Sequence, residues 1–289
     1  MKQIFNGTQF VNCEEQYWGG VIYTSIQSEN SILELIGVVF ENCTSLDTGG
    51  GIYASIYSGA QFVMSGTCLF KNCSSVLSGG GIYTDIGKGG QLGIKDQCFF
   101  TECKSISGSG GGIYSNINDA TLNIEDTTFD RCTCSQPGNG GGITLYQGSS
   151  SIISITNSSF KDCKTISNSP DQRYGWGGGI FIQTSVTAEN LNESNFIIRD
   201  LIFSRCSAVN SIGNNLHIQS IDTYATGEAI EVGNLLSVNE TIDLYYNNNY
   251  QYDYMGIDQS KVGNGTTIIN NIPLFQANQT VDRILNLAQ

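Results

Sequence analysis

Seven of the ten cysteines occupy one position of an F-x-x-C element: Cys13, Cys43, Cys73, Cys103, Cys132, Cys163 and Cys206. Their spacings are 30, 30, 30, 29, 31 and 43 residues, so one thiol arrives with each pass of a repeating structure. Thiols can form disulfides, hold metals or act as nucleophiles. If successive passes stack as parallel strands, equivalent residues lie about 4.8 Å apart, inside the Cα window of a disulfide. Parallel, in-register Cβ vectors suit that bridge poorly. The simpler reading is a buried stack of free thiols packing as small hydrophobes, with coil-to-coil disulfides as the sharper alternative. The pattern implies no metal: there is no C-x-x-C pair, and Cys132-x-Cys134 alone is not a zinc-ligand spacing.

A second register carries aromatic rings. Tyr23, Tyr53, Tyr83 and Tyr114 follow Gly clusters, and Thr144, Phe181 and His217 continue the position. If side chains alternate, Tyr23, Tyr53, Tyr83, Tyr114 and Phe181 form a vertical outward stripe. Such a stripe can stack sugar rings or seat a surface protein of a host or neighbouring cell. It can equally be a self-stacking ladder that only stabilises a sheet.

The carboxylates do not assemble into a catalytic pattern. Glycoside hydrolysis needs two of them at a set separation, yet no acidic position recurs from repeat to repeat. Asp126 and Asp130 flank Phe129, Asp85 is paired with nothing obvious, and Asp96 beside Lys95 is generic. The only histidine, His217, sits in the last, decayed repeat and reads as part of a strand face. The expectation is a non-enzymatic protein without a cofactor. Sequons head Asn6, Asn42, Asn72, Asn157, Asn192, Asn239, Asn264 and Asn278, mildly favouring a secretory route; Asn42 and Asn72 are expected to lie in strands, out of reach.

The elements that position these residues follow from the repeat itself. The second motif reads GGVIY at 19–23, GGGIY at 49–53, 79–83 and 110–114, GGGIT at 140–144, GGGIF at 177–181 and GNNLH at 213–217. After each cluster the residues alternate: Ile52, Ala54 and Ile56 on one side, Tyr53 and Ser55 on the other. Period two means strands. A second strand follows a turn at Gln61–Ser65 or Gln91–Lys95, and F-x-x-C makes a third. Two or three strands per roughly 30 residues, with like positions recurring, predict an all-β parallel β-helix of about seven coils. One coil cannot bury its inner face alone, so the stack is the folding unit.

Composition agrees. Of 289 residues 35 are Gly and 3 are Pro, and charged residues make up 13%, which excludes a coiled coil; the 39% hydrophobic share excludes disorder. The net charge of −13 argues against nucleic acid and anionic membranes, and no apolar run is long enough to insert in a bilayer. Residues 1–220 read as β-helix repeats and 221–289 as degenerate coils plus a C-terminal cap, with strand-like pieces at Ala229–Val238 and Thr241–Tyr246. Coil six is swollen by Asn168–Trp176 and Thr187–Asn195, read as exposed loops. Ile4–Cys13 aligns with Met64–Cys73, which puts Met1 in mid-coil and makes a truncated first coil, with its secretion signal upstream, the expectation.

The pairing of G-G-x-I (Gly19–Ile22, Gly50–Ile52, Gly80–Ile82, Gly111–Ile113, Gly141–Ile143, Gly178–Ile180) with F-x-x-C resembles the repeats of chlamydial polymorphic outer membrane proteins. It is still more similar to GGGIY-type surface β-helix proteins of some protists; both belong with the pectin-lyase-like β-helices. The resemblance spans about residues 4–218. The chlamydial motif ends in Asn where this chain has Cys, and no segment corresponds to that family's translocation barrel. The resemblance implies a right-handed coil, a place outside the cell or on its surface, and a role in adhesion, recognition or a coat, with glycans or surface proteins as partners. The alternative it carries is a carbohydrate-active lyase or glycosidase.

Overall fold

A computed structural model describes residues 1–168, 174–239, 244–245, 247–263 and 268–275. The chain is a right-handed parallel β-helix in which like residues sit on like residues. Ile52 pairs in register with Ile22 and Ile82, and Phe70 with Phe40 and Phe100. Each complete coil carries four strands rather than two or three. In one coil these are Ile52–Ile56, Gln61–Ser65, Leu69–Lys71 and Ser74–Ser75. The last is only two residues long, too short to show a period in the sequence. In the final coils Phe196–Ser204 runs unbroken through a corner and joins the second and third walls into one sheet.

The interior follows from the alternation. Ile52, Ala54 and Ile56 point inward from the first wall, Phe62 and Met64 from the second, Phe70 and Cys73 from the third, and all are fully buried. Each buried Phe contributes about 1.5–3 kcal/mol of hydrophobic stabilisation. The phenylalanines form a continuous stack, with ring centroids 4.5 Å apart for Phe40–Phe70, 4.8 Å for Phe70–Phe100 and 4.9 Å for Phe100–Phe129.

The glycine triplet has three separate reasons, visible at Gly79–Gly81. Gly79 takes φ +71°, closed to most L residues. A Cβ on Gly80 would lie 2.2 Å from the Gly111 carbonyl oxygen of the next coil, and one on Gly81 would lie 3.0 Å from the Phe100 ring. The triplet therefore turns the chain, lets coils meet backbone to backbone, and makes room for the phenylalanine stack.

The residue before each ladder cysteine is in the left-handed region: Asn12, Asn42, Asn72, Glu102, Arg131, Asp162 and Arg205. Asn42 and Asn72 thus sit at an outer corner and not in strands. Their amides form a ladder, Asn42 Nδ2 donating to Asn12 Oδ1 at 3.0 Å and Asn72 Nδ2 to Asn42 Oδ1 at 2.8 Å. Higher up, ion pairs take over the same column: Arg131 Nε to Glu102 at 3.0 Å, and Arg205 Nη2 to Asp162 at 2.6 Å.

The C-terminal region differs from expectation. Thr223–Val232 is an α-helix, and only Leu236–Val238 of the expected Ala229–Val238 piece is a strand. Asp222 caps the helix, its carboxylate accepting from Ala225 N at 3.0 Å. Thr223, Thr226, Gly227 and Ile230 are the buried face, the i, i+3, i+4, i+7 pattern of a helix lying on a core. Thr241–Tyr246 falls mostly outside the described residues. The first wall continues through Leu216–Ser220 and Tyr254–Asp258, and ends in an antiparallel pairing with Ile272–Pro273.

Candidate functional site

The outer face of the GGGIY wall gathers a column of aromatic rings with polar side chains beside it. From Ile22–Ile26 to Ile113–Asn118 each strand there presents a tyrosine and, two residues on, a polar side chain, because alternation sends both outward. The rings stack: Tyr23–Tyr53 at 5.3 Å, Tyr53–Tyr83 at 5.1 Å and Tyr83–Tyr114 at 4.8 Å. Trp18 joins the column at its N-terminal end, 5.7 Å from Tyr23 and 5.6 Å from Tyr53. Trp18 is 47% and Tyr23 57% exposed, while Tyr53, Tyr83 and Tyr114 are half-buried by their neighbours.

Asp85 is the polar centre of this face, not an unpaired carboxylate as the sequence had it. Tyr53 donates its hydroxyl to Oδ2 at 3.1 Å, Tyr83 to Oδ1 at 3.4 Å, and Asn116 Nδ2 to Oδ1 at 2.7 Å. Asn116 Nδ2 also reaches the Tyr83 hydroxyl at 3.2 Å. Burial pushes the Tyr53 hydroxyl up to about 12, and burial likewise raises Tyr83 and Tyr114 above the ordinary tyrosine range. These hydroxyls stay protonated, and those of Tyr53 and Tyr83 act as donors toward Asp85.

The column changes character at the next coil. Thr144 replaces the tyrosine and turns its hydroxyl to the Asn139 carbonyl at 2.6 Å. The ring that continues the stack is Tyr146, one outward position along, 5.4 Å from Tyr114 and tilted by 44°. Above it Phe181 is only 1% exposed, so it does not belong to an outward stripe. The end of the coil-six insertion covers it. Gly175 and Trp176 both donate their backbone N–H groups to Asn139 Oδ1 at 2.9 Å, and Trp176, fully buried, lies 4.8 Å from His217 and 6.5 Å from Phe181. The insertion thus closes as a buried lid at Trp176 instead of ending as an exposed loop.

His217 is sealed beneath that lid. Its Nε2 lies 2.8 Å from Asn271 Oδ1, and burial lowers its pKa to about 4, so the ring is neutral across the physiological range.

The cysteine ladder is an interior feature with its own bonding. All ten cysteines are free thiols, and every ladder thiol beyond Cys13 reaches the phenylalanine carbonyl of the preceding coil. The S···O distances are 3.6 Å for Cys43–Phe10, 3.4 Å for Cys73–Phe40, 3.5 Å for Cys103–Phe70 and 3.3 Å for Cys132–Phe100. Cys163–Phe129 and Cys206–Phe160 are both 3.4 Å. Burial raises Cys103, Cys132 and Cys163 well above the usual thiol range, which suits weak S–H donors and not nucleophiles. Among the described residues no three His, Cys, Asp or Glu side chains converge on a metal position.

Sequence reasoning located the tyrosines but missed Trp18, Asp85 as a hub, Asn116 and Tyr146. The signal for Tyr146 was present: the aromatic absent at 144 reappears two residues later, on the same face. Compared with protein-family models, with curated proteins and with solved structures, the chain finds no match.

Proposed function

We propose that this chain is a non-enzymatic β-helix repeat protein of the cell surface or extracellular space that acts by adhesion or recognition through its outer aromatic column. One observation carries the reading: Trp18, Tyr23, Tyr53, Tyr83 and Tyr114 form a continuous stacked series on the outside of a rigid wall. Large amphipathic rings held in place by their neighbours give contact area at little entropic cost, the property that favours Tyr and Trp in recognition surfaces.

Two further observations favour binding over turnover. Both oxygens of Asp85 are engaged by Tyr53, Tyr83 and Asn116, and the histidine is buried and neutral, so neither is poised for proton transfer to a surface substrate. The extracellular placement draws on sequons at exposed Asn6, Asn157 and Asn192; Asn264 and Asn278 lie outside the described residues. No helix among the described residues is long and apolar enough to cross a membrane.

The test is binding of the purified chain to intact cells and to extracellular matrix, compared with a Tyr53→Ser/Tyr83→Ser variant. Loss of at least tenfold in the variant is expected. Unchanged binding overturns the role of the column, and catalytic depolymerisation of a polysaccharide by the native chain overturns the non-enzymatic assignment.

A further inference from the structure

We infer that the N-terminal end of the outer column docks a protein partner through an arginine side chain, which lies against the rings of Tyr17, Trp18 and Tyr23 and pairs with the Glu15 carboxylate. The inference rests on the recognition reading and names the kind of partner taken at this end. These four side chains line one opening of about 420 Å³, together with Gly19 and Val21. The lining thus holds three aromatic rings, one carboxylate and no cation.

The rings have surface to give. Tyr17 is 70% exposed, and among the described residues no other ring packs on it and its hydroxyl bonds to nothing. Tyr23 meets rings only on the side of Trp18 and Tyr53. The support beneath them is nevertheless fixed. The Ser45 hydroxyl donates to the Tyr17 carbonyl, the Gly19 N–H donates to the Thr48 carbonyl at 2.9 Å, and the Trp18 ring stacks 5.6 Å from Tyr53. A platform ordered beforehand lowers the cost of binding. Trp176 holds the equivalent place in a later coil, before Gly177 as Trp18 stands before Gly19, and there the chain itself buries the indole completely. Trp18 has no such cover among the described residues.

Charge decides what fits. Residues 1–60 contain six carboxylates and a single lysine, Lys2, which is paired with Glu34 at 2.7 Å. Glu15 accepts from the Gln16 N–H through Oε1 at 2.8 Å, and its Oε2 has no donor among the described residues. A face that is both aromatic and anionic complements a cation. The guanidinium group answers both features at once: its weakly hydrated plane stacks on rings while its edge donates to a carboxylate. A lysine ammonium is held more strongly by water, and a quaternary ammonium has no N–H for Glu15.

The surface beside the opening suits a protein as the carrier of that arginine. Leu46 and Ile106 follow Ser45 and Ser105, which stack in register through Ser75, and both are exposed. Leu77 is exposed on the coil between them. Branched aliphatic side chains offer no hydrogen bond to a sugar, whereas apolar residues flanking an arginine can cover them.

The test titrates the full chain with a blocked pentapeptide that has arginine at its centre and leucine at both ends, and with its citrulline and trimethyllysine counterparts. Tryptophan fluorescence reads the site, because the only tryptophan besides Trp18 is the fully buried Trp176. The arginine peptide should give a saturable change, and citrulline, which keeps the shape without the charge, should bind about fivefold more weakly. Tyr17→Ala and Glu15→Gln should each weaken the arginine peptide by about threefold to fivefold, and Glu15→Gln should leave the citrulline peptide unchanged. Both side chains are exposed, so these variants keep the fold. Glu125→Gln removes the same charge from an exposed position on the second wall and should leave arginine binding unchanged. Equal affinity for arginine and citrulline, tighter binding of trimethyllysine, or the same response from Glu15→Gln and Glu125→Gln overturns the site. If that happens while Tyr53→Ser/Tyr83→Ser still loses cell binding, the arginine site falls and the recognition reading stands.

Discussion

Two aromatic ladders climb this solenoid with the same rise, one inside and one outside, and their differences separate what holds the molecule up from what it shows to others. The inner stack runs through Phe10, Phe40, Phe70, Phe100, Phe129, Phe160 and Phe203 without a break. Its planes stay within 10° of one another from Phe40 to Phe160, and each ring from Phe70 upward packs against a glycine that has surrendered its side chain. The outer stack keeps that order only from Tyr53 to Tyr114, then jogs to Tyr146 and disappears under Trp176. Stacking geometry alone therefore carries no information about function. What distinguishes the outer ladder is that solvent reaches it and that polar groups (Asp85, Asn116, Gln183) stand beside its rings, whereas the inner one is flanked by thiols bonded to backbone.

The sharpest way to break the comparison is to ask which region opens. Cys13 is half-buried at the end of the ladder, and Cys103, Cys132 and Cys163 are fully buried. Alkylation of the buried three requires opening of the surrounding coils, which in core elements costs on the order of the global stability, about 5–15 kcal/mol. Under native conditions iodoacetamide should modify Cys13 first and leave Cys103, Cys132 and Cys163 protected by a factor of many thousands, read by peptide mass spectrometry. Equal labelling of all four would show that the inner ladder is not closed, and absence of labelling after denaturation would show disulfides in place of free thiols.

Substitution in the two ladders gives the next effect. Phe100→Ala removes a fully buried ring between two stacked neighbours and should cost about 3–5 kcal/mol in urea unfolding. Gly80→Ala should cost more than the about 1–3 kcal/mol of ordinary overpacking, because its added carbon meets backbone of the next coil at 2.2 Å. Stacked repeats can unfold piecewise, so hydrogen exchange resolved by segment should place both losses in the coils that hold residues 79–114. A uniform small effect would mean that coil-to-coil contact at the triplet is looser than the glycines imply.

Why the inner ladder was legible in the sequence and the outer one only in part follows from the same geometry. The interior repeats because each coil supports the next, so Phe70, Cys73 and Ile82 had to recur and their period disclosed the fold. The outer face is constrained coil by coil. Phe181 shares its register position with the tyrosines, and its burial comes from Trp176, whose place depends on Asn139 one coil below; no local pattern encodes that. Asp85 becomes a hub only because Tyr53 and Asn116 lie on neighbouring coils. The helix Thr223–Val232 was readable from Asp222 and the spacing of its buried face, but runs of Ile, Val and Leu through Val238 favoured a strand reading. The two-residue strands such as Ser74–Ser75 are below the length at which alternation can be seen.

Beneath the lid, His217 offers an intermediate effect. Its pKa is about 4 in the fold and about 6.5 in an unfolded chain. Between those values the unfolded chain holds the extra proton, so the folded state gains stability as pH rises and loses it as pH falls from 6.5 toward 4. The loss totals roughly 3 kcal/mol, with no further contribution from this residue below pH 4. His217→Phe, which keeps a ring between Trp176 and Phe181, should flatten this part of the pH profile of chemical denaturation. An identical slope in both proteins would mean that the imidazole is accessible to solvent and the lid open.

The smallest effect belongs to the outer ladder, and it is the one that decides the functional reading. Tyr53→Ser removes stacking with Trp18, Tyr23 and Tyr83 and one donor to Asp85, whose remaining partners Tyr83 and Asn116 persist. Aromatic pairs contribute about 0.5–1.5 kcal/mol beyond burial, and this ring is half-exposed, so unfolding should shift by about 1 kcal/mol. A ladder whose rings matter little for stability but whose Tyr53→Ser/Tyr83→Ser variant loses tenfold or more in cell binding is there to be touched by something else. If Tyr53→Ser instead destabilised the chain as much as Phe100→Ala, the outer ladder would be a second core, and the recognition role would lose its physical basis.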